Sequence, residues 1–342
     1  MSGQELENTA NLLIARGKGI LAIDESLPSI KKRFDSIDVE STAETRRAYR
    51  DLLITTKGAE QYVSGMILFD ETIRQSTADG TPFPRVMQKA GIIPGIKVDQ
   101  GAKDLAGHPG EKITEGLDGL RERLKEYYEL GARFAKWRAV ITIEGGLPTV
   151  GCINANAHAL ARYAALCQEA GLVPVVEPEV LMDWSNTVDR CYEVTEATLR
   201  SVFNALSEQR VVLERLVLKT NMVVSGKQCG TQAGIEEVAA KTVRCLRNSV
   251  PAAVAGIVFL SGGQSAKTAT VHLNAINAVA GQDPWPLSFS FGRALQEPSL
   301  KIWAGKHTNH EAAQKALYHR EKCNSLACLG QYAPAIEREL AA

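Results

Sequence analysis

Lys219 is the residue whose type and position most clearly suggest chemistry. It follows the apolar run 216–218, which has the composition of a buried β-strand. Burial disfavours the charged form of an ammonium group, and a neutral amine is a nucleophile that forms Schiff bases with carbonyl compounds. One lysine at a strand end is more often a side chain whose amine reaches solvent. The choice between these interpretations depends on the rest of the chain.

Apolar runs recur along the chain, and segments with helical spacing separate them. Strands are predicted at residues 19–24, 64–70, 94–99, 133–140, 173–179, 215–221, 255–261 and 286–291. Helical spacing occurs at 113–130 and 155–170, for example. Eight strand–helix repeats without a GxGxxG motif favour an α/β fold of the TIM-barrel type, a closed (β/α)₈ barrel, over a doubly wound sheet. No low-complexity linker interrupts the pattern, so we predict one catalytic domain over residues 1–342, with an N-terminal helix and a short C-terminal tail.

The ends of the predicted strands are rich in charged residues. Side chains alternate along a strand, so Lys97 and Asp99 share one face, as do Glu177 and Glu179. The full inward set comprises Asp24, Lys97, Asp99, Lys136, Arg138, Glu177, Glu179, Lys219 and Arg293. In a TIM barrel the catalytic residues lie at the C-terminal ends of the strands, so barrel closure brings these charges to one mouth. Such a cluster needs internal ion pairs. If its neighbours keep Lys219 neutral, we expect the other cations to be free for an anionic ligand.

Two groups of residues near this mouth could bind phosphate. The first comprises Ser261, Gly262, Gly292 and Arg293. These residues follow strands seven and eight, where TIM barrels often build a phosphate site, and glycines let backbone N–H groups approach an anion closely. The second group comprises Ser26, Ser29 and Lys97. Two phosphate sites facing one amine predict a bisphosphorylated carbonyl compound as the substrate.

The composition is that of an ordinary globular protein. The chain has 342 residues, 45% of them hydrophobic, and its 39 basic and 39 acidic residues give zero net charge. Neither nucleic acid nor a membrane surface is indicated as a partner. Seven cysteines without a CxxC motif favour reduced thiols, and neither a signal peptide nor a membrane-length apolar stretch is found. We therefore predict a cytoplasmic protein.

The strand-end motifs resemble those of the class I fructose-1,6-bisphosphate aldolase family. The matching segments are 21–26, 94–99, 135–138, 176–180, 218–223, 259–264, 290–295 and 324–328. The resemblance extends over nearly the whole chain and implies a lyase with a TIM-barrel fold. The implied reaction is the reversible cleavage of fructose 1,6-bisphosphate to dihydroxyacetone phosphate and glyceraldehyde 3-phosphate, in glycolysis and gluconeogenesis.

The resemblance also implies roles for the residues at the mouth. Lys219 would form the Schiff base with the ketose C2, and Glu177 would be the acid and base of carbinolamine formation and dehydration. Asp24 would take the proton of the C4 hydroxyl, while Lys136 and Glu179 would hold charges and hydrogen bonds around Lys219. The implied contacts of the C1 phosphate are Ser261, Gly262, Gly292 and Arg293. Those of the C6 phosphate are Lys97, Ser26 and Ser29, and Arg138 is assigned to substrate binding.

A protonated imine is itself an electron sink, so the implied mechanism needs no metal and no cofactor. The resemblance further implies sugar phosphates as small-molecule partners and a homotetrameric assembly. Two positions depart from many relatives, Pro28 and Thr220, and Pro28 is expected to stiffen a loop that carries Ser29. The C-terminus departs more, because the chain ends at 337–342 without a terminal tyrosine and Tyr332 lies too close to the 324–328 motif to replace it.

Three other functions are compatible with parts of the pattern. A metal-dependent aldolase would hold its ion with histidines, but none of the six histidines follows a predicted strand. A different Schiff-base aldolase would share the lysine without needing both phosphate sites. A scaffold or binding protein with this fold could have lost activity, although Lys219, Glu177 and Asp24 are all present.

Overall fold

Eight parallel strands close into a barrel in the computed structural model, which describes residues 3–340. The barrel strands are β1 (Gly19–Ala22), β2 (Val63–Leu68), β3 (Ile93–Lys97), β6 (Phe134–Ile141), β7 (Val173–Val180), β8 (Val217–Thr220), β9 (Gly256–Phe259) and β10 (Leu287–Phe291). A short antiparallel hairpin adds β4 (Ala102–Asp104) and β5 (Lys112–Thr114). The order around the barrel is β1-β10-β9-β8-β7-β6-β3-β2. Only the hairpin interrupts the sequence order, and the predicted (β/α)₈ TIM barrel is confirmed.

Helices connect the strands and surround the barrel. They are α1 (Gly3–Leu13), α2 (Leu27–Asp35), α3 (Ala43–Ile54), α4 (Asp70–Ile73), α5 (Phe83–Lys89), α6 (Leu120–Glu129), α7 (Val150–Glu169), α8 (Val188–Glu208), α9 (Ile235–Ser249), α10 (Ala266–Ala280), α11 (Arg293–Trp303) and α12 (His310–Cys328). Several begin at a capping side chain. Thr149 caps α7, Thr187 caps α8 and Ser265 caps α10, each accepting a bond from the backbone N–H three residues on. No helix among the described residues is long and apolar enough to cross a membrane.

The predicted strands agree with the observed ones to within about three residues at each end, but one predicted helix is wrong at its start. The segment 113–130 was expected to be helical throughout, whereas β5 occupies its first residues and α6 begins only at Leu120. Gly116 and Gly119 have φ angles of 126° and 65°, which an L side chain rarely adopts. These two glycines end the extended segment and delay the helix.

The outward faces of the strands pack against the helices. Trp137 on β6 is fully buried, and its ring lies 5.6 Å from that of Tyr163 on α7. Val176 and Leu218 occupy equivalent outward positions on β7 and β8 and belong to the same hydrophobic layer. This layer fixes which face of each strand is turned outward, and the alternation of side chains then decides which residues point into the barrel.

The inward positions change character along the barrel axis. At the N-terminal ends of the strands they are apolar and pack with Leu13 and Ile14 at the end of α1, in a cluster with Phe134 and Val217. A Cβ added to Gly95 would lie 2.2 Å from the ring of Phe134, so the packing leaves no room there. Helix α1 thus closes one end of the barrel, and polar side chains collect at the other.

Candidate active site

A cavity of 1220 Å³ opens at the C-terminal ends of the barrel strands. Every residue assigned to the site from the sequence lines it. These residues are Asp24, Ser26, Ser29, Lys97, Lys136, Arg138, Glu177, Glu179, Lys219, Ser261, Gly262, Gly292 and Arg293. The fold therefore brings residues that are up to 269 positions apart in the chain (24 to 293) to one concave surface.

Four of these residues form a continuous chain of ion pairs in the cavity. The Nζ atom of Lys219 lies 3.0 Å from Oε1 of Glu177. The Nζ atom of Lys136 lies 3.4 Å from Oε2 of the same carboxylate and 2.6 Å from Oδ2 of Asp24. None of these four side chains is more than 12% exposed. Two cations and two anions cancel, so none of the charges is buried without compensation.

The strand register produces this arrangement. Strands β6 and β7 are neighbours, and Lys136 lies opposite Val175 while Arg138 lies opposite Glu177. The amine of Lys136 can therefore reach the Glu177 carboxylate one inward position further along β7. Lys219 is the inward residue at the corresponding level of β8, where Val217 below it belongs to the apolar part of the barrel.

Mutual electrostatics shift the protonation of this group. Burial alone would raise the pKa of the Asp24 carboxyl, but the neighbouring Lys136 and Lys219 outweigh it and hold that pKa well below its usual range. Burial alone would lower the pKa of Lys136, but Asp24 and Glu177 outweigh it and raise that pKa. At neutral pH, Asp24 is therefore an ionised carboxylate and Lys136 is a cation.

Two further ion pairs correct the expectation that the remaining cations are free. Lys97 Nζ lies 2.8 Å from Oδ1 of Asp99, and Arg138 forms an ion pair with Glu179. The resemblance implies that Glu179 acts beside Lys219, whereas Glu179 forms an ion pair with Arg138, the inward residue of the adjacent strand. The pairing is expected because a buried carboxylate loses hydration, and an ion pair with the neighbouring guanidinium offsets that loss.

The loops after β9 and β10 form a second part of the cavity. Gly262 and Gly263 have φ angles of 57° and 94°, and a Cβ on Gly263 would lie 2.5 Å from Nζ of Lys227 and 3.3 Å from the guanidinium of Arg293. Only glycine allows the backbone this close to two cations. Lys227 also pairs with Asp183 at 2.5 Å. Strand and helix patterns do not indicate Lys227, because it lies in an irregular segment without periodicity.

Arg33 is another cavity residue that strand patterns did not indicate. It lies on α2, where its guanidinium is 2.6 Å from Oε1 of Glu25 and faces Gly292, whose added Cβ would lie 3.8 Å away. It follows Ser29 by four residues, and therefore lies on the same side of the helix. Helical spacing from Ser29 was the signal that could have found it.

Ser26 and Ser29 lie at the start of α2, with their hydroxyl oxygens 3.1 Å apart. Ser26 is the residue before the first turn, and Pro28 is within that turn, where the backbone N–H that proline lacks has no helical partner. The expectation that Pro28 stiffens a loop is therefore wrong, since Ser29 is on a helix.

None of the six histidines lines the cavity. The C-terminal segment Pro334–Leu340 forms 3₁₀ turns against α12, and Ala341 and Ala342 lie outside the described residues. Tyr332 is largely buried, and its hydroxyl donates a hydrogen bond to Oε1 of Glu337 at 2.8 Å. It therefore does not line the cavity.

Comparison with known proteins shows which family the chain belongs to. Residues 5–342 match the family model described as fructose-bisphosphate aldolase class-I. A probable fructose-bisphosphate aldolase class 1 from Xanthomonas campestris is 61% identical over 333 residues, which cover 97% of this chain and 99% of the relative. The cytosolic fructose-bisphosphate aldolase 4 of Arabidopsis thaliana is 55% identical over 96% of this chain and 84% of its own length.

A solved structure gives the same result for the fold. The fructose-bisphosphate aldolase of Plasmodium falciparum, in a ternary complex with TRAP and a small-molecule inhibitor, is 50% identical and superposes with a TM-score of 0.95. The match covers 96% of this chain and 95% of that one. The present chain belongs to the class I fructose-bisphosphate aldolase family, the lyases that reversibly cleave fructose 1,6-bisphosphate into two triose phosphates.

Proposed function

We propose that this chain cleaves fructose 1,6-bisphosphate through a Schiff base on Lys219. The observation that carries the proposal is the 3.0 Å contact between the Lys219 amine and the Glu177 carboxylate, deep in a cavity lined by cations. A buried pair of this kind adds little net stability, because desolvation offsets most of the attraction. Its geometry does suit proton transfer, since the two heavy atoms are within hydrogen-bonding distance.

Imine formation begins with that proton. Glu177 takes a proton from the Lys219 ammonium, and the neutral amine attacks C2 of the ketose. The protonated Glu177 gives that proton to the oxygen on C2. It then takes a second proton from the nitrogen, which completes the neutral carbinolamine, and gives it to the C2 hydroxyl, which leaves as water. The product is a positively charged iminium ion, with one water lost, and Glu177 acts in turn as base and acid.

Cleavage needs a base at the C4 hydroxyl, and Asp24 is assigned to that role. When its carboxylate accepts the hydroxyl proton, the C3–C4 bond breaks and C4 becomes the aldehyde of glyceraldehyde 3-phosphate. The electron pair moves to C3 and neutralises the iminium, which leaves an enamine. The 2.6 Å pair between Asp24 and Lys136 keeps the carboxylate ionised and oriented before the reaction.

The second half of the cycle regenerates the lysine. The enamine carbon takes a proton, water adds to the resulting iminium, and dihydroxyacetone phosphate leaves. We assign the carbon protonation to Glu177, because it already moves protons at C2 and one of its oxygens accepts no hydrogen bond among the described residues. The remaining cations and glycines of the cavity are assigned to binding the two phosphate groups of the substrate.

The C1 phosphate is assigned to Ser261, Gly262, Gly292 and Arg293. Lys227 and Arg33 are added to this group, because both approach the backbone glycines of the same loops. The C6 phosphate is assigned to Ser26, Ser29 and Lys97. Arg138 is assigned to substrate binding at the same mouth, with Glu179 as its partner, and Glu179 would act on Lys219 only indirectly.

The test is reductive trapping. Borohydride added with dihydroxyacetone phosphate reduces an imine to a stable secondary amine, and mass spectrometry of peptides locates it. One adduct per chain is expected, on Lys219. An adduct on Lys136 or Lys97 instead would contradict the assignment, and Lys219→Arg is the negative control because a guanidinium forms no imine here.

We further propose a metal-independent, cytoplasmic homotetramer that takes only small sugar phosphates as substrates. Metal independence follows from the iminium ion as electron sink, so a chelator should leave the yield of trapped imine unchanged. Loss of trapping with EDTA and recovery with zinc would favour the metal-dependent alternative. Sedimentation analysis tests the tetramer, and fractionation of cells tests the compartment.

A further inference from the structure

A second cluster of reactive side chains lies between α12 and the C-terminal 3₁₀ segment. His319 and Cys323 are one turn apart on α12, and Nε2 of the first is 3.5 Å from Sγ of the second. Glu337 reaches toward them from the C-terminal segment, with Oε2 3.8 Å from the same Nε2. One donor atom from each residue lies within 4.8 Å of the other two. Among the side chains that the structure describes, this is the one such group of three.

We propose that His319, Cys323 and Glu337 bind a zinc ion that ties the C-terminal segment to α12. Zinc accepts nitrogen, sulfur and carboxylate oxygen at ~2.0–2.3 Å in tetrahedral geometry, which places ligand atoms ~3.3–3.8 Å apart. The observed 3.5 and 3.8 Å separations agree with that spacing. Calcium and magnesium prefer all-oxygen ligands, so the donor set favours zinc.

The surroundings of Glu337 orient it for this role. Its other oxygen, Oε1, accepts bonds from Nη1 of Arg320 at 2.5 Å and from the hydroxyl of Tyr332 at 2.8 Å. Arg320 is itself fixed to α10 through the hydroxyl of Thr270. Hydrogen bonds from such outer groups hold a metal ligand in position, and here they turn Oε2 toward His319.

The charges around the three ligands indicate how firmly the site would hold the ion. Zinc would bring two positive charges to the Glu337 carboxylate and the Cys323 thiolate, and Arg320 adds a third. With three protein ligands and one water, we expect an exchangeable ion rather than a permanently held one. Coordination requires the thiolate, so binding releases the Cys323 proton and weakens as the pH falls.

The consequence of binding is a more ordered C-terminal segment. Glu337 is the ligand that this segment supplies, so a zinc ion would join residues separated by 14 positions (323 to 337). A ligand that binds only the folded state stabilises it by linkage. We expect zinc to raise the melting temperature and to slow amide hydrogen exchange at 335–338, while the yield of trapped imine on Lys219 stays the same.

Cobalt(II) is the probe for the experiment, because a thiolate ligand gives a charge-transfer band that other ligands do not. The full-length chain is stripped with a chelator and titrated with cobalt, which zinc then displaces. The matched variants are Cys323→Ser and Cys328→Ser, both at cysteines of α12. Cys323→Ser should lose the band and weaken zinc binding by more than about a hundredfold, whereas Cys328→Ser should keep both.

Two further results decide the proposal. Glu337→Gln should keep the thiolate band but weaken zinc binding about 10–100-fold and abolish the zinc-dependent protection of the amides at 335–338. That variant serves as the test if Cys323→Ser does not fold. Absence of the cobalt band in the unmodified chain, its loss in Cys328→Ser, or zinc binding by Glu337→Gln at unchanged affinity would each overturn the proposal.

Discussion

The two ends of the barrel interior are built from the same strands but from opposite kinds of residue. Phe134 and Val217 point inward at the N-terminal end, in the cluster that α1 closes. Two positions further along the same strands, Lys136 and Lys219 point inward at the C-terminal end and carry charge. A change of one inward position therefore separates a packed hydrophobic plug from a polar cavity.

This contrast separates the parts of the molecule that contribute stability from those that contribute chemistry. Burying an aliphatic or aromatic side chain stabilises a fold by ~1.5–3 kcal/mol. Buried ion pairs contribute little to stability. Each ion loses several kcal/mol of hydration free energy on burial, and the attraction between the two ions only offsets this loss. The apolar end and the outer helices thus hold the charged end of the barrel in place. Substitutions at the charged end should therefore reduce activity with little effect on stability, and substitutions at the apolar end should reduce stability with little effect on the chemistry.

The largest effect is expected at the charged end, from Lys219→Arg. The variant keeps the positive charge beside Glu177 but cannot form the imine. Because enzymes accelerate reactions by ~10⁶-fold or more, loss of the covalent route should reduce kcat by at least about 10⁴-fold. A coupled assay for triose phosphate measures this, and an unchanged melting temperature shows that the fold is intact. Residual cleavage within tenfold of the unsubstituted chain would place the nucleophile elsewhere.

Substitutions at the apolar end should change the free energy of unfolding rather than the activity. Leu13 and Leu12 are neighbours on α1, but Leu13 is fully buried in the plug whereas Leu12 is 60% exposed. Leu13→Ala should lower the free energy of unfolding by ~2–5 kcal/mol, and Leu12→Ala should change it by no more than about 0.5 kcal/mol. Chemical denaturation measures both.

Neither of these leucine variants should affect imine trapping on Lys219 at a temperature where the protein remains folded. If Leu13→Ala abolished trapping without unfolding the chain, the two ends would be coupled more tightly than their packing indicates. Equal losses of stability in the two variants would show that α1 does not act as the plug.

Glu321 on α12 sharpens the comparison, because it is a buried acid outside the paired cluster. Its side chain is fully buried, and neither carboxylate oxygen accepts a hydrogen bond among the described residues. Burial, with a smaller effect of Glu60, raises the pKa of Glu321 to about 8. The folded state therefore holds this proton more tightly than the unfolded chain does, and stability should decline as the pH rises from about 4.5 to about 8.

Glu321→Gln removes that titration while keeping the shape of the side chain. The variant should be close to the unsubstituted chain in stability at pH 5 and more stable at pH 8, by ~2–4 kcal/mol. Urea denaturation at the two pH values measures the difference. A gap that is equal at both pH values would mean that Glu321 is not protonated in the folded state.

Lys97 tests whether the polar end recognises two phosphates. Its partner Asp99 holds it at the cavity, remote from Lys219 along the barrel order. Hydrogen bonds to charged groups contribute ~1.5–3 kcal/mol, so Lys97→Ala should lower kcat/KM for fructose 1,6-bisphosphate ~10–100-fold. Fructose 1-phosphate lacks the group that Lys97 is assigned to bind, so its kcat/KM should change little. An unchanged ratio between the two substrates would show that the C6 phosphate lies elsewhere.

The polar end could be predicted from the sequence because alternation on strands is a strong pattern. Lys136 and Arg138, two apart on β6, were assigned inward and do line the cavity. The pairing among them was not predictable, because the partner of Glu179 depends on the register of neighbouring strands. Lys227 was missed since an irregular loop has no period.

The hairpin of β4 and β5 was missed for a different reason. Leu117, Leu120 and Leu124 are spaced as on a helix, and this spacing masked the glycines that interrupt it. The roles of the cavity residues stay predictions, because alternation and burial locate a side chain without revealing its task. The C-terminal tail is the region where the family pattern gives the least guidance.

The smallest expected effect concerns that tail. It offers Glu337, Arg338 and Glu339 as its polar side chains, and Glu337 is occupied by Arg320 and Tyr332. General acid catalysis contributes ~10²–10⁴-fold, so a tail that protonates the enamine would be essential for proton exchange on dihydroxyacetone phosphate. Because we assign that step to Glu177, deletion of 337–342 should change the exchange rate by less than about tenfold. The measurement is hydrogen–deuterium exchange of the substrate by NMR, at equal amounts of trappable Lys219. A drop of a hundredfold or more, with imine formation intact, would give the protonation step to the tail and leave Glu177 with imine formation and hydrolysis alone.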